Sequence, residues 1–245
     1  MNQPLPVIWH DTLDSTNAEA KRLALAARFT EHWIAARRQT AGRGRLGRTW
    51  QSPSGNLFAT ALVAVPGGVV EALRLPFAAA LAVHDAASAF APNAEIALKW
   101  PNDVRCDSAK LSGILVESGA GPAGQWAAVG IGINVATAPE AVDQPATSLA
   151  AISQGLVPTP EVVLEALSNA FSTRMRQARD DFGLTRTDWC ARAEGRTGLI
   201  QATVGERVLE GWFAGLADDG GLMLDLPSGG RETIRAGDVH LVGRV

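Results

Sequence analysis

The sequence predicts an α+β fold in two parts, a larger one built on a mixed or mostly antiparallel sheet and a small β-barrel behind it. Three observations lead there. Strand-like and helix-like runs follow one another without the regular βαβ alternation of a parallel sheet. From about Gly195 the texture changes to short strand-like runs separated by glycine-bearing turns. At 245 residues and 47% hydrophobic composition, the chain can bury a core in each part. The division is expected at residues 1–193 and 194–245.

In order, Val7-Ile8-Trp9 reads as a short strand. Thr16 and Glu19 then have capping-box spacing, with helix continuing over Ala20 to Ala27. Ser15 and Thr16 either cap that helix or offer spare hydroxyls to a polar ligand at its N-terminus. Trp33 to Arg38 and Leu57 to Val65 read as strands, and Val69 to Phe90 as a helix despite Pro76. Ile96 to Trp100 is a strand cut off by Pro101, followed by an Asn102-Asp103 turn. Leu111 to Glu117 and Trp126 to Val135 are two more strands. Glu161 to Phe182 has helical period, with Val162, Leu164, Leu167, Phe171 and Met175 on one apolar face. The barrel strands are expected at Leu199–Val204, Val208–Leu216, Gly221–Leu226, Glu232–Arg235 and Val239–Val242.

Four stretches bear chemistry. Gln39-Thr40-Ala41-Gly42-Arg43-Gly44-Arg45-Leu46-Gly47-Arg48-Thr49-Trp50 alternates arginines with glycines and contains no acid. Glycines expose backbone N–H groups and guanidinium forks suit phosphate or carboxylate oxygens, so this is an anion-wrapping loop. Gly42-x-Gly44-x-x-Gly47 matches the dinucleotide fingerprint in letters only. Ser52-Pro53-Ser54-Gly55 breaks a helix where the fingerprint needs one, and no acid appears before Glu71 for the ribose. Lys99-Trp100-Pro101-Asn102-Asp103 gathers a lysine, an amide and a carboxylate at a strand end, although such a turn is also common as plain structure. Lys110 opens the apolar run Leu111-Ser112-Gly113-Ile114-Leu115-Val116-Glu117, where its ammonium either snorkels outward or meets an anion. Gly130-x-Gly132-x-Asn134 allows close approach to one face of a buried strand, with Asn134 at its end.

A formal charge of −3 with locally crowded basic residues describes an anion site rather than a general nucleic-acid face. Cys106 and Cys190 match neither a metal spacing nor a disulfide framework, which points to a reducing cytosol. No export signal is visible, and the run Pro76 to Val83 is too short to cross a bilayer. A cytoplasmic protein without membrane contact is expected.

Together these stretches, with Asp14-Ser15-Thr16-Asn17 and in this order, closely resemble the biotin–protein ligases. The resemblance extends over nearly the whole chain. It implies a catalytic domain similar to class II aminoacyl-tRNA synthetases, followed by an SH3-like barrel. It also implies activation of biotin by ATP to biotinyl-5′-AMP, then transfer to a lysine of a biotin carboxyl carrier domain. Some relatives carry an N-terminal winged helix that represses biotin genes. This sequence starts almost at Asp14, so a ligase without DNA binding is expected, as a monomer or a homodimer.

By resemblance, Lys110 and Arg45 are the catalytic residues. Biotin is expected at Ser15, Thr16, Asn17, Gln39, Gly42, Arg43, Gly44, Arg45, Lys110, Gly113 and Gly132. ATP is expected at Arg45, Arg48, Trp50, Lys99, Asn102, Lys110, Asn134 and Arg235, with Mg²⁺ helped by Asp103. Trp50 is either a core or loop anchor or a lid against the adenine. Residues 40–56 are expected to order over the adenylate, and Ala136 to Thr147 to cover the adenine. Lipoate–protein ligase is disfavoured by the arginine loop and by Lys99-Trp100-Pro101-Asn102-Asp103. An arginine–glycine RNA binder would need repeated clusters or stacking aromatics, which the chain lacks. A pure biotin sensor would need a DNA-binding domain.

Overall fold

The computed structural model describes residues 4–26, 29–140, 144–153 and 155–241. A seven-stranded sheet holds β1 (Val7–Leu13), β2 (His32–Gln39), β3 (Leu57–Ala64), β4 (Ile96–Lys99), β5 (Asp103–Cys106), β6 (Ala109–Gly121) and β7 (Gly124–Ile133) in the order β1-β2-β3-β7-β6-β5-β4. Only β1 and β2 pair in parallel and every other pair is antiparallel, so the sheet is mixed.

The sheet alternates between two apolar faces, as strand geometry requires. Ile34, Leu62 and Ala128 point to Ala20 and Ala24 of helix α1 (Thr16–Leu25). Trp33, Ala35, Ala61, Val63, Ala127 and Val129 point the other way. There they meet α2 (Gly68–Phe90) and α4 (Pro160–Asp180), with the short α3 (Leu149–Ile152) preceding α4. Pro76 lies within α2 without ending it. Helix α5 (Phe182–Ala191) then carries Trp189 against Phe77 of α2, ring centroids 5.8 Å apart.

The C-terminal part is a five-stranded antiparallel sheet of β8 (Leu199–Val204), β9 (Arg207–Leu216), β10 (Leu222–Asp225), β11 (Arg231–Ile234) and β12 (Asp238–Leu241), in the order β11-β10-β9-β8-β12. Its inward residues Ile200, Ala202, Leu216, Leu222, Leu224, Ile234 and Val239 join the main core, reached through Trp189 and the partly buried Phe213.

Several sequence expectations are corrected. The N-cap of α1 is Ser15, which makes no side-chain cap bond, so no Thr16–Glu19 capping box forms. The Thr16 hydroxyl is taken by the Thr60 hydroxyl instead. The run after Pro101 is not only a turn. Asp103–Cys106 pairs on both sides as β5, because Asp107 and Ser108, both at positive φ, turn the chain directly into β6. The helix begun at Pro160 stops at Asp181, whose carboxylate accepts from the Leu184 N–H and starts α5. Its inner face uses Val163, while Val162 is exposed. The expected ends at Ala27 and Val242, like residues 141–143, lie outside the described residues.

Candidate active site

The strand ends and the arginine loop enclose a cavity of about 550 Å³, a size suited to a small-molecule ligand. Its floor is set by register. Asp103 of β5, Gly113 of β6, Gly132 of β7 and Phe58 of β3 lie side by side across four strands. Two adjacent glycines leave a bare patch, and the Trp50 indole lies on it. A Cβ at Gly132 would stand 2.5 Å from a Trp50 ring carbon, and one at Gly113 2.8 Å from another. The role of these glycines is therefore close approach. Trp50 reaches Lys110 as well, with Nζ 5.4 Å from the ring centroid.

Lys110 does not snorkel free. Its ammonium lies 2.7 Å from Asp103 Oδ1, and both side chains are largely buried. Asn134 clamps the backbone here, donating its amide to the Lys110 and Thr147 carbonyls. Asn102 donates to the Ile114 carbonyl at 2.7 Å and accepts from Arg45 at 3.0 Å, which ties the arginine loop to the end of β4. The loop closes on itself through an Arg43–Thr49 bridge and a 2.7 Å bond from the Gly44 N–H to the Arg48 carbonyl. Leu46, exposed at its tip, takes φ 55°.

Among the described residues, the cationic side chains of Arg43, Arg45, Arg48, Lys99 and Lys110 line this cavity, against the carboxylates of Asp103 and Asp238. Burial, reinforced by repulsion from Arg105, lowers the pKa of Lys99 below its ordinary 10.5. An anion opposite Lys99 would relieve that penalty. Arg48 meets Asp238 of β12 at 2.8 Å. Burial raises the Asp238 carboxyl, but Arg48, Arg45 and Lys99 together hold it below the ordinary carboxylate value. His240, two residues along, is lowered by burial and by Lys99. Neither Asp238 nor His240 was expected from the sequence. Their Ala-Gly-Asp turn carries no sign of which partner strand it will meet.

Part of the lining is a polar, neutral wall that includes Ser15, Thr16, Asn17 and Gln39. The Gln39 carbonyl accepts from the Thr16 N–H at 2.9 Å, and its amide donates to Ser52 at 3.2 Å. Asn17 fills the space over Gly130, where a Cβ would meet its Oδ1 at 2.1 Å.

Two expected site residues, Gly42 and Arg235, stand apart from this arrangement. Gly42 does not line the cavity. It receives the Trp50 N–H, and a Cβ there would stand 2.4 Å from the Trp50 carbonyl. Arg235 lies on the exposed surface of the small sheet, paired with Asp219 at 2.5 Å and outside the cavity lining. Trp50 rests on the glycine floor beside Lys110, as an anchor of the loop. Of the segment expected to cover the adenine, Pro139, Gln144 and Ala146 do line the cavity.

The model of the biotin/lipoate A/B protein ligase family matches residues 9–134, and that of the biotin protein ligase C terminal domain matches residues 200–242. The biotin–(acetyl-CoA-carboxylase) ligase of Paracoccus denitrificans is 42% identical over 94% of this chain and 98% of its own length. That of Mycobacterium tuberculosis is 36% identical over 93% and 86%. The biotin protein ligase of Aquifex aeolicus, solved in complex with biotin and ATP, superposes with a TM-score of 0.79 at 28% identity, covering 96% of this chain and 98% of that one. With a matching model over half its length, a second over its C-terminal sheet, and relatives covering nearly all of it, the chain belongs to the biotin/lipoate A/B protein ligase family.

Proposed function

We infer that this chain is a biotin–protein ligase that makes biotinyl-5′-AMP and transfers the biotinyl group to a lysine of the carrier domain of acetyl-CoA carboxylase. The observation that carries this reading is the two-part lining of one cavity, where neutral hydrogen-bonding side chains of Ser15, Thr16, Asn17 and Gln39 accompany the cations of Arg43, Arg45, Arg48, Lys99 and Lys110. Biotin matches both parts, with a ureido ring at one end and a carboxylate at the other. The cations then take the carboxylate and the nucleotide phosphates together.

In the first step a biotin carboxylate oxygen attacks the α-phosphorus, and pyrophosphate leaves. Two anions must meet, repelling by about 4 kcal/mol at 4 Å for an effective dielectric near 20. Lys110 would bridge the carboxylate and the α-phosphate, and its contacts with Asp103 and Trp50 support that role. Arg45, positioned by Asn102, with Arg48 and Lys99, would hold the remaining phosphate charge. Ser15, Thr16, Gln39, Gly44 and the Arg43 backbone would hold the ureido ring, with Asn17 supporting them through Thr60. Asn134, which holds the Lys110 backbone and lines the cavity, would support the nucleotide. In the second step the carrier lysine amine attacks the acyl carbon, and AMP leaves. No protein nucleophile is needed.

Mg²⁺ would neutralise phosphate charge when bound. Among the described residues no group of three or more His, Cys, Asp or Glu gathers to hold a metal. Asp103 is the carboxylate that would meet the ion, and it is already paired with Lys110. The ion would therefore rest mainly on phosphate and water oxygens, as Mg²⁺ commonly does. A synthetase-like catalytic domain over residues 1–193 and an SH3-like barrel over 194–245 complete the reading, supported by the mixed sheet and the five-stranded antiparallel ladder. No helix among the described residues is long and apolar enough to cross a membrane.

Incubation with biotin, MgATP and a carrier domain should add one biotinyl mass to the carrier, read by mass spectrometry. An unmodified carrier, with no biotin-dependent ATP–pyrophosphate exchange, would sink the reading.

A further inference from the structure

The partners behind the polar wall determine the direction of every proton in one chain of side chains. One terminal atom of Asn17 faces the Leu115 carbonyl at 3.2 Å and the Glu117 carboxylate at 2.9 Å. Both partners only accept, so that atom is the amide nitrogen. The other is the carbonyl oxygen, and it lies 2.7 Å from Thr60 Oγ1. An amide oxygen only accepts, so the single hydroxyl proton of Thr60 points to Asn17. Thr60 Oγ1 also lies 2.8 Å from Thr16 Oγ1. With the Thr60 proton committed, the proton between the two hydroxyls belongs to Thr16.

On its far side, Thr16 Oγ1 lies 3.2 Å from the Gln39 atom that receives the Thr16 N–H at 2.9 Å. Receiving an N–H identifies that atom as Oε1. Thr16 Oγ1 and Gln39 Oε1 therefore face each other with no proton between them. Two acceptors side by side in a cavity wall call for an N–H donor from a ligand. Thr16 and Gln39 line the cavity, whereas Thr60 is fully buried and does not.

We propose that Thr60, oriented through Asn17 by Glu117, is a positioning residue that makes Thr16 an acceptor and so selects a ligand presenting an N–H at this wall. The proposal rests on the biotin reading, in which the donor is a ureido N–H. Without the Thr60 hydroxyl, the Thr16 proton turns to Gln39 Oε1, and the acceptor pair is lost. A methyl group in place of that hydroxyl changes volume little, so the loss is one of proton direction and not of shape.

The test is calorimetric titration of the full chain with biotin and with two oxazolidinone analogues, each carrying a ring oxygen in place of one N–H. Wild-type protein should lose about tenfold in affinity for the analogue lacking the recognised N–H, the worth of one hydrogen bond. Thr60→Val should bind biotin about tenfold more weakly and show no further loss with that analogue. Its Kd for ATP should stay at the wild-type value, and Thr60→Ser should restore biotin affinity. Asn17→Leu, which removes the acceptor that directs the Thr60 proton, should lose the same discrimination and serves if Thr60→Val does not fold. Wild-type affinity in Thr60→Val, or an analogue penalty equal in variant and wild type, would overturn the proposal while leaving the ligase reading intact. Wild-type protein that binds no biotin would overturn the ligase reading itself.

Discussion

Lys110 sits between a carboxylate and an indole face, 2.7 Å from Asp103 and 5.4 Å from the Trp50 centroid. If it bridges the reacting anions, Lys110→Ala should lower biotin-dependent ATP–pyrophosphate exchange by roughly 10²–10³-fold, the size seen for one lost transition-state donor. Lys99 gives a pH signature. Its folded-state pKa lies below 10.5, so the folded chain gives up this proton before the unfolded chain does. Its term in the stability therefore rises as pH climbs through the interval just beneath 10.5. A phosphate binds the ammonium form, so ATP affinity should fall over the same rise in pH. Lys99→Met should flatten that fall when Kd is followed against pH, and an unchanged profile would remove Lys99 from the phosphate site. At this scale the sequence was most informative. Most of the quoted residues do line one cavity, because glycine, arginine and lysine in an apolar setting leave few structural uses. Arg235 pairs with the nearby Asp219 outside the cavity lining, and its glycine-rich hairpin gives no register by which local sequence could place it.

Strands and helices bring those residues together through pairings that local sequence states only in part. Gly113 and Gly132 are 19 positions apart yet directly opposite across β6 and β7, and that register alone creates the floor for Trp50. Gly130 serves α1 in the same way. Gly130→Ala should push Asn17 out of place, weaken biotin binding and lower Tm, read by calorimetry and thermal melts. The arginine loop is the element expected to move. Amide exchange over residues 40–56 should slow when biotin and ATP are added together, and an unchanged rate would deny it a closing role. Strand β5 was missed because four residues after a proline carry too little periodic signal, whereas its pairing to β4 and β6 is decided by neighbours.

The whole molecule has one main core shared by the two parts. Phe77 of α2 contacts Trp189 of α5, Trp189 contacts Phe213 of β9, and the Trp100 indole donates to the Gly220 carbonyl at 3.1 Å. Phe77→Ala should therefore cost about 3–5 kcal/mol and still give one cooperative transition in denaturant. Two separate transitions would mean that the C-terminal sheet folds independently. What the sequence determined by itself was composition-limited: the kinds of element, the anion-binding chemistry and the family resemblance. Each of these is written in residue types and short spacings, where local sterics and charge dominate. Tertiary structure alone decided which residues face one another, placing Asp238 against Arg48, Trp50 over paired glycines and Thr60 behind Thr16. Such contacts join positions up to 190 residues apart, and their geometry comes from strand register and core packing, which no local stretch encodes.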